Sequence, residues 1–128
     1  MAAFTVIDHT ELGAAASSWD VTSIPTDGTY DHLMLKWSVR TDNAAYLADL
    51  DMQFNADTGS NYSRTILYAN TATPASARAT SDTSIGHVYG NADSTTANTF
   101  SSTTVWIPNY ANTANFKQVI TKSVVEGR

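Results

Sequence analysis

The architecture of this protein is indicated first by one stretch, YDHLMLKWSVR, which runs from Tyr30 to Arg40. Within it, apolar side chains take every second position and mostly polar ones lie between them; the apolar set is Leu33, Leu35, Trp37 and Val39. Successive side chains of a strand point to opposite sides, so a period of two predicts a strand with one buried face. The stretch also predicts that Trp37 is buried and that His32 faces solvent.

Outward from this stretch, seven further segments favour strands. Each is rich in β-branched, aromatic or alternating apolar residues and is bounded by Gly, Asn, Asp or Pro. They are residues 4–7, 19–24, 48–54, 62–69, 84–89, 99–107 and 116–125. With 30–40 they make about eight strands. Short strands at even spacing predict a single all-β domain over residues 1–128, an antiparallel β-sandwich of jelly-roll type.

The composition supports the prediction of an all-β fold and argues against several classes of function. There are 19 Thr, 13 Ser and 9 Asn residues, which favour strands and turns, and only 2 Glu against 10 Asp. No cysteine is present, so disulfides and thiolate chemistry are excluded. A net charge of -5 with scattered basic residues makes nucleic acid a poor partner. Neither a secretory signal nor a membrane span is evident, so we expect a soluble protein made in the cytoplasm.

Two polar stretches, residues 70–82 and 90–98, contain Ala, Thr, Ser, Asn and Asp and lack an apolar face. Segments of this kind run over the surface of a domain and often carry binding residues. We therefore expect two long surface loops, and we expect them to supply contact surfaces.

Few residues suggest catalysis or metal binding. Asp49 and Asp51 share one exposed strand face, which indicates a solvated edge more strongly than a glycosidase pair. Oxygen ligands gather in a short span around Gly59, from Asp49, Asp51, Asn55, Asp57 and Asn61. The spacing of a calcium loop is missing, however, and the residues from Asp57 to Asn61 are typical of a turn. The sequence predicts no catalytic residue, no metal and no cofactor.

Aromatic side chains are the remaining candidates for ligand binding. Trp106 lies between Val105 and Ile107, so its facing is left open by the pattern. Tyr110 lies in a turn after Pro108, where it is either an exposed ring that stacks on a sugar or a corner tyrosine that bonds a backbone carbonyl. Trp106 and Tyr110 are the predicted ligand-binding residues.

Three stretches in this order resemble a family of small virion structural proteins of tailed phages, common in marine phages, which occur as tail-fibre or head-surface decoration proteins. They are YDHLM leading to SVRTD at residues 30–42, FNADTGSNYS at 54–63 before Leu67, and TANTFS at 96–101 leading to IPNY. The resemblance extends over residues 7–126. It implies a non-enzymatic β-sandwich on a virion, a homotrimer that contacts major capsid or tail subunits.

The resemblance leaves two roles open, a capsid decoration protein or a fibre component. The alternative is a carbohydrate-binding module that recognises a host surface glycan through the two polar loops and Tyr110. Members of the family continue with further strands where this chain stops at Arg128, so the resemblance also predicts that the strand at 116–125 lacks a neighbour in its own chain.

Overall fold

The computed structural model describes residues 4–69 and 72–126. These residues form seven β-strands, all paired in antiparallel fashion, and no helix. The strands are β1 (His32–Trp37), β2 (Leu47–Met52), β3 (Tyr62–Tyr68), β4 (Ala75–Asp82), β5 (Ile85–Asn91), β6 (Ser102–Pro108) and β7 (Ile120–Val124). The all-β prediction is confirmed, with seven strands described where the sequence suggested about eight.

The strands form one three-stranded and two two-stranded sheets. The larger sheet has the order β1-β6-β7, and the pairs are β2-β5 and β3-β4. In the larger sheet Met34 lies opposite Trp106, which in turn lies opposite Ile120. The β2-β5 pair contacts the larger sheet through β5, where the Ser123 hydroxyl of β7 donates to the Tyr89 carbonyl at 2.7 Å, and the β3-β4 pair contacts β5 through β3.

The alternation that predicts β1 is present in the structure. Leu33, Leu35 and Trp37 are half-buried, and the residues between them are exposed. Trp37 is therefore less buried than its pattern suggests, and the ring of Trp19 packs edge-on against it at a centroid distance of 5.9 Å. Among the residues that the structure describes, the buried apolar ones are few: Ala48, Val88, Ala92, Val105 and Ile107.

The chain has a large surface for its mass. It exposes 9349 Å², whereas a compact monomer of 13.8 kDa is expected to expose about 6,600 Å². The excess is roughly 2,700 Å² by the same scaling. Much of it lies in residues 4–23, every one of which is exposed.

The strands predicted at residues 4–7 and 19–24 are absent, and this part of the chain is irregular and has no strand pairing. Their β-prone side chains find no partner strand in the described chain, and backbone pairing is what makes an extended segment a strand. Residues 19–25 nevertheless run beside β1 in the opposite direction. Trp19 meets Trp37 at one end of β1, and Pro25 accepts a hydrogen bond from Tyr110 near the other.

The loop predicted at residues 70–82 is also corrected. Asn70 and Thr71 lie outside the described residues, and most of the remainder is β4, which pairs with β3 along its whole length. The sequence pattern does not predict this strand, because its Ala, Ser and Thr residues show no alternation of apolar and polar side chains. Strand pairing uses backbone hydrogen bonds, which do not require such alternation. Within β4 only Ala75, Ala79 and Asp82 are half-buried.

The last strand is shorter than predicted and has a neighbour. β7 pairs with β6 from Val124 opposite Ser102 to Ile120 opposite Trp106. The prediction of a terminal strand without an intramolecular partner is therefore wrong. One edge of β7 is covered by β6, which supplies the backbone partners that the sequence argument assigned to another subunit.

Candidate functional site

One face of the β1-β6-β7 sheet presents matched rows of side chains to solvent, and we call it the outer face. Directly opposite residues on paired strands point to the same side, so each row crosses the sheet. The rows are His32 and Pro108; then Met34, Trp106 and Ile120; then Lys36, Thr104 and Lys122. The opposite side of β6 carries the buried residues Thr103, Val105 and Ile107.

The middle row of the outer face is apolar and accessible. Met34 is 39% exposed and Ile120 is 66% exposed, with half-buried Trp106 between them. The structure thereby resolves the facing of Trp106, whose ring lies 5.1 Å from that of His32. A strip of Met, Trp and Ile on a solvent-facing sheet is a typical contact surface for another polypeptide.

The next row is basic. Lys36 and Lys122 flank Thr104 and are both exposed. Neither lysine forms a salt bridge with any residue that the structure describes. A shallow, open cavity of about 370 Å³ adjoins this row and is lined by Lys36, Trp37, Ser38, Ser102, Thr103 and Thr104. The outer face thus combines an apolar strip with two uncompensated positive charges.

Tyr110 has the corner arrangement. Its ring is half-buried, its hydroxyl donates to the Pro25 carbonyl, and its backbone N–H donates to the Asp31 carbonyl at 3.3 Å. Loss of hydration raises the pKa of Tyr110, and the Asp27 charge adds to this. Tyr110 therefore fastens residues 25–31 to the end of β6, which is the corner alternative left open by the sequence.

Apart from the outer face and the Tyr110 corner, a cluster of polar side chains lies where β2 pairs with β5. The pairing shifts by one residue between Leu50 and Met52, so β5 bulges at Gly86 and His87. His87 has a left-handed backbone, with φ of 59°. A bulge turns a side chain in a new direction, and here His87 Nδ1 lies 3.2 Å from Asp49 Oδ1 and 2.8 Å from the Tyr89 hydroxyl.

The same cluster extends to β3 through Arg64. Its guanidinium pairs with the carboxylate of Asp82 and lies beside Gly86, where a Cβ atom would approach Arg64 and meet an Asp51 oxygen at 2.8 Å. Burial raises the pKa of Tyr89, and the nearby Asp49 charge raises it further. The tertiary structure thus places three acids, an arginine, a histidine and a tyrosine around one bulge.

Sequence reasoning found only part of this cluster. It singled out Asp49 and Asp51 as an exposed pair. Arg64 and Tyr89 were missed, because nothing in their local sequence shows which strand lies beside β5. Gly86 next to a histidine inside a strand was the available signal, since a glycine there often marks a bulge.

Residues 90 and 91 belong to β5, whereas residues 92–98 form an irregular and mostly exposed segment, as expected of a surface loop. This loop is held tightly. Asn91, Ala92 and Thr95 are buried. The Arg40 guanidinium donates to the Thr95 hydroxyl at 2.7 Å and to four carbonyls at 3.0 to 3.4 Å, those of Asp93, Thr95, Thr96 and Thr99. One planar cation therefore clamps residues 93–99 from within.

A carboxylate holds the same segment from the other side. Glu126 accepts from the Thr96 hydroxyl and backbone N–H, at 2.5 and 2.7 Å, and from the Thr99 hydroxyl at 3.2 Å. These bonds, led by that of the Thr96 hydroxyl, hold the pKa of Glu126 below its ordinary value. Arg40 and Glu126 therefore hold this segment in one conformation through their hydrogen bonds.

The corner between β2 and β3 is a turn organised by two side chains. Asp57 accepts from the Gly59 N–H at 2.9 Å and from the Asn61 amide at 3.0 Å. The Tyr62 hydroxyl accepts from the Phe54 N–H and donates to the Asp57 carbonyl.

Within residues 4–69 and 72–126, no three acidic or histidine side chains are grouped to hold a metal ion. Nor do those residues include a helix able to span a membrane.

Comparison of the chain with family models, with curated proteins and with solved structures finds no match.

Proposed function

We propose that this protein is a non-enzymatic structural subunit of a phage virion, a capsid decoration protein or a fibre component that works through contacts between subunits. It would act in the virion, with copies of itself and with major capsid or tail subunits as partners. The resemblance described above, which covers residues 7–126, supplies the phage assignment and the expectation of a homotrimer.

The observation that carries the proposal is the distribution of apolar side chains. Among the described residues, 13 large hydrophobic side chains are exposed, whereas five hydrophobic residues are buried. Scattered exposed apolar residues are ordinary on a monomer, but a surface about 2,700 Å² larger than the mass requires is not. Subunits that complete their core on assembly have this character, because the interface is an interior divided between chains.

The finer architecture that we propose is a two-layer sandwich of jelly-roll type. In it the β1-β6-β7 sheet forms one layer, and the β2-β5 and β3-β4 pairs form the other. Two observations support this arrangement: the buried side chains Val105 of β6 and Val88 of β5 both lie in the core, and β7 reaches β5 through Ser123.

Binding to particles tests the proposed function. Labelled protein is mixed with bare capsids and, separately, with isolated tails of a tailed phage that encodes it, and the bound fraction is measured by sedimentation. We expect saturable binding to one of the two. Binding to neither contradicts the proposal, and electron microscopy of the labelled particles identifies the position when binding occurs.

A second candidate function, recognition of a host surface glycan, is favoured by the cluster around the β5 bulge. Tyr89 offers an aromatic face on which a sugar ring can stack. Asp49 and Asp51 offer hydrogen-bond acceptors and Arg64 offers donors, and an aromatic ring combined with such polar groups is typical of ligand-binding sites. A glycan array tests it. Hits that disappear in Tyr89→Ala and persist in Tyr110→Phe would place the site at this cluster, and blank arrays would exclude it.

A further inference from the structure

The net negative charge of this protein comes from its first 35 residues. The first 35 residues contain five acidic residues, Asp8, Glu11, Asp20, Asp27 and Asp31, and no lysine or arginine. The remaining 93 residues contain seven acidic and seven basic residues. The formal charge of -5 therefore belongs wholly to the first 35 residues, and the body of the fold is neutral.

The leading segment, residues 4–18, is both acidic and apolar. Phe4 is 68% exposed and Val6 is 80% exposed, although both are β-prone side chains that favour burial. In an extended chain Phe4, Val6 and Asp8 share one side, and Ile7 points to the other. The segment thus presents two apolar side chains followed by one carboxylate, at steps of two residues.

The outer face carries the complementary series. Along the direction of its strands the rows are His32 with Pro108, then the apolar row around Trp106, then the row that contains Lys36 and Lys122. Adjacent rows are two residues apart on each strand, which is the same repeat as in an extended peptide. An extended peptide parallel to the strands therefore meets each row with every second side chain.

We propose that the leading segment of one copy docks on the outer face of a second copy. Phe4 lies over the row of His32 and Pro108, Val6 lies over the apolar row, and Asp8 lies between the two lysines. This inference rests on the proposed function only in that it treats the chain as an assembly subunit. It names the partner, a second copy of this chain, and the surfaces that join.

The surface area agrees with this docking. Each chain exposes roughly 2,700 Å² more than a compact monomer of its mass, and stable obligate interfaces bury about 2,000 to 5,000 Å² in total. Two lysines without salt-bridge partners among the described residues then receive a carboxylate, and the apolar row loses its contact with water.

The first experiment measures association of the full chain by sedimentation equilibrium over a range of protein concentrations, at low and at high salt. We expect an oligomer at micromolar concentrations and a dissociation constant that rises with salt, because the lysine contacts are screened. A wild-type chain that remains monomeric throughout overturns the proposal, and so does a compact monomer whose leading segment folds onto its own outer face.

Adjacent substitutions test the side of the segment that docks. Val6→Asp places a carboxylate on the apolar row and is expected to raise the dissociation constant at least roughly tenfold, the factor lost with one buried side chain of this size. Ile7→Asp adds the same charge on the opposite side and is expected to change it less than about threefold, as for an ordinary surface substitution. Equal effects of the two variants would contradict the docking geometry.

The outer face is tested in the same way. Ile120→Asp is expected to weaken association by at least the same factor, roughly tenfold. Leu67→Asp, on β3 and 82% exposed, is the matched control and should leave association unchanged. Circular dichroism verifies that both variants are folded. If Leu67→Asp dissociates the oligomer while Ile120→Asp does not, the interface lies on another face and the proposal fails.

Reversing the charges on both sides of the proposed contact gives a further test. Restoration of association by a second charge reversal cannot result from a structural defect. Lys36→Glu with Lys122→Glu should dissociate the oligomer, and addition of Asp8→Lys to the same chain should restore it. Failure of this restoration overturns the assigned contact. Particle binding keeps the two proposals separate: a monomer that binds capsids refutes the docking alone, whereas an oligomer that binds neither capsids nor tails refutes the virion function alone.

Discussion

Arg40 is the residue whose replacement best tests the description of the fixed segment after β5. Its side chain is only 18% exposed, and its guanidinium donates to five oxygens in residues 93–99. Arg40→Ala removes all of these bonds together. We expect the protein to remain folded at neutral pH with a clearly lower free energy of unfolding.

The size of the expected loss in unfolding free energy depends on which of the acceptor oxygens water can reach once the guanidinium is removed. The bond to the Thr95 hydroxyl is short and part-buried, and a charged hydrogen bond of this kind contributes about 1.5 to 3 kcal/mol. The carbonyls of Asp93 and Thr96 are exposed, so water replaces the guanidinium there at a cost of about 0.5 kcal/mol each. The ion pair with Asp93, at 3.6 Å and with the carboxylate 71% exposed, adds little. The expected loss is about 3 kcal/mol.

Urea denaturation measures this loss. With a slope of about 1.5 kcal/mol/M, the midpoint should fall by about 2 M. Arg40→Lys keeps the charge but lacks the planar fork, and should recover less than half of the loss. Arg78→Ala, at an exposed position on β4, is the control and should stay within about 0.5 kcal/mol of the wild type. A loss below about 1 kcal/mol for Arg40→Ala would refute the clamp.

Three further outcomes are expected. Val105→Ala removes two methyl groups from a fully buried site and should cost about 2 kcal/mol, measured by thermal unfolding; a neutral result would show that this core relaxes freely. Trp37→Phe should cost less than about 1 kcal/mol, because the buried indole N–H has no partner among the described residues, whereas Trp37→Ala should cost about 3 kcal/mol. Glu126 has a pKa below its ordinary value of 4.5, so its stabilising bonds are fully present above pH 4.5 and are lost as the pH falls through the lower folded value. The difference in melting temperature between wild type and Glu126→Gln should therefore be constant above that pH and disappear in stronger acid; a difference that persists in acid would contradict the role of the charge.

The alternating segments were predictable because their burial pattern is a property of neighbouring residues. β1 and β2 follow the period of two, with Leu33 and Leu50 on the inner side and Lys36 and Asp49 outside. In such strands the sequence records which side meets the core. The turn around Asp57 was predictable for the same reason, since its hydrogen bonds join residues that lie within a few positions of each other.

The candidate sites were less predictable, because their members come from distant parts of the chain. Arg64 joins Gly86 across two sheets, and Arg40 reaches a segment more than fifty residues away. No local pattern encodes such a distance. The same limit explains why residues 4–7 were predicted to be a strand: their side chains favour extended structure, but a strand requires a partner that the described part of this chain does not supply.

The sequence by itself determined the all-β class, the inner faces of the two alternating strands, the exclusion of disulfides, and the concentration of negative charge in the first 35 residues. These are consequences of composition and of short-range periodicity. The tertiary structure alone decided that a polar stretch of small residues is β4, that Arg40 and Glu126 hold residues 93–99, and that Trp106 shares its face with Met34 and Ile120. These features are set by strand pairing and by long-range hydrogen bonds, both of which depend on which distant segments of the chain meet in space.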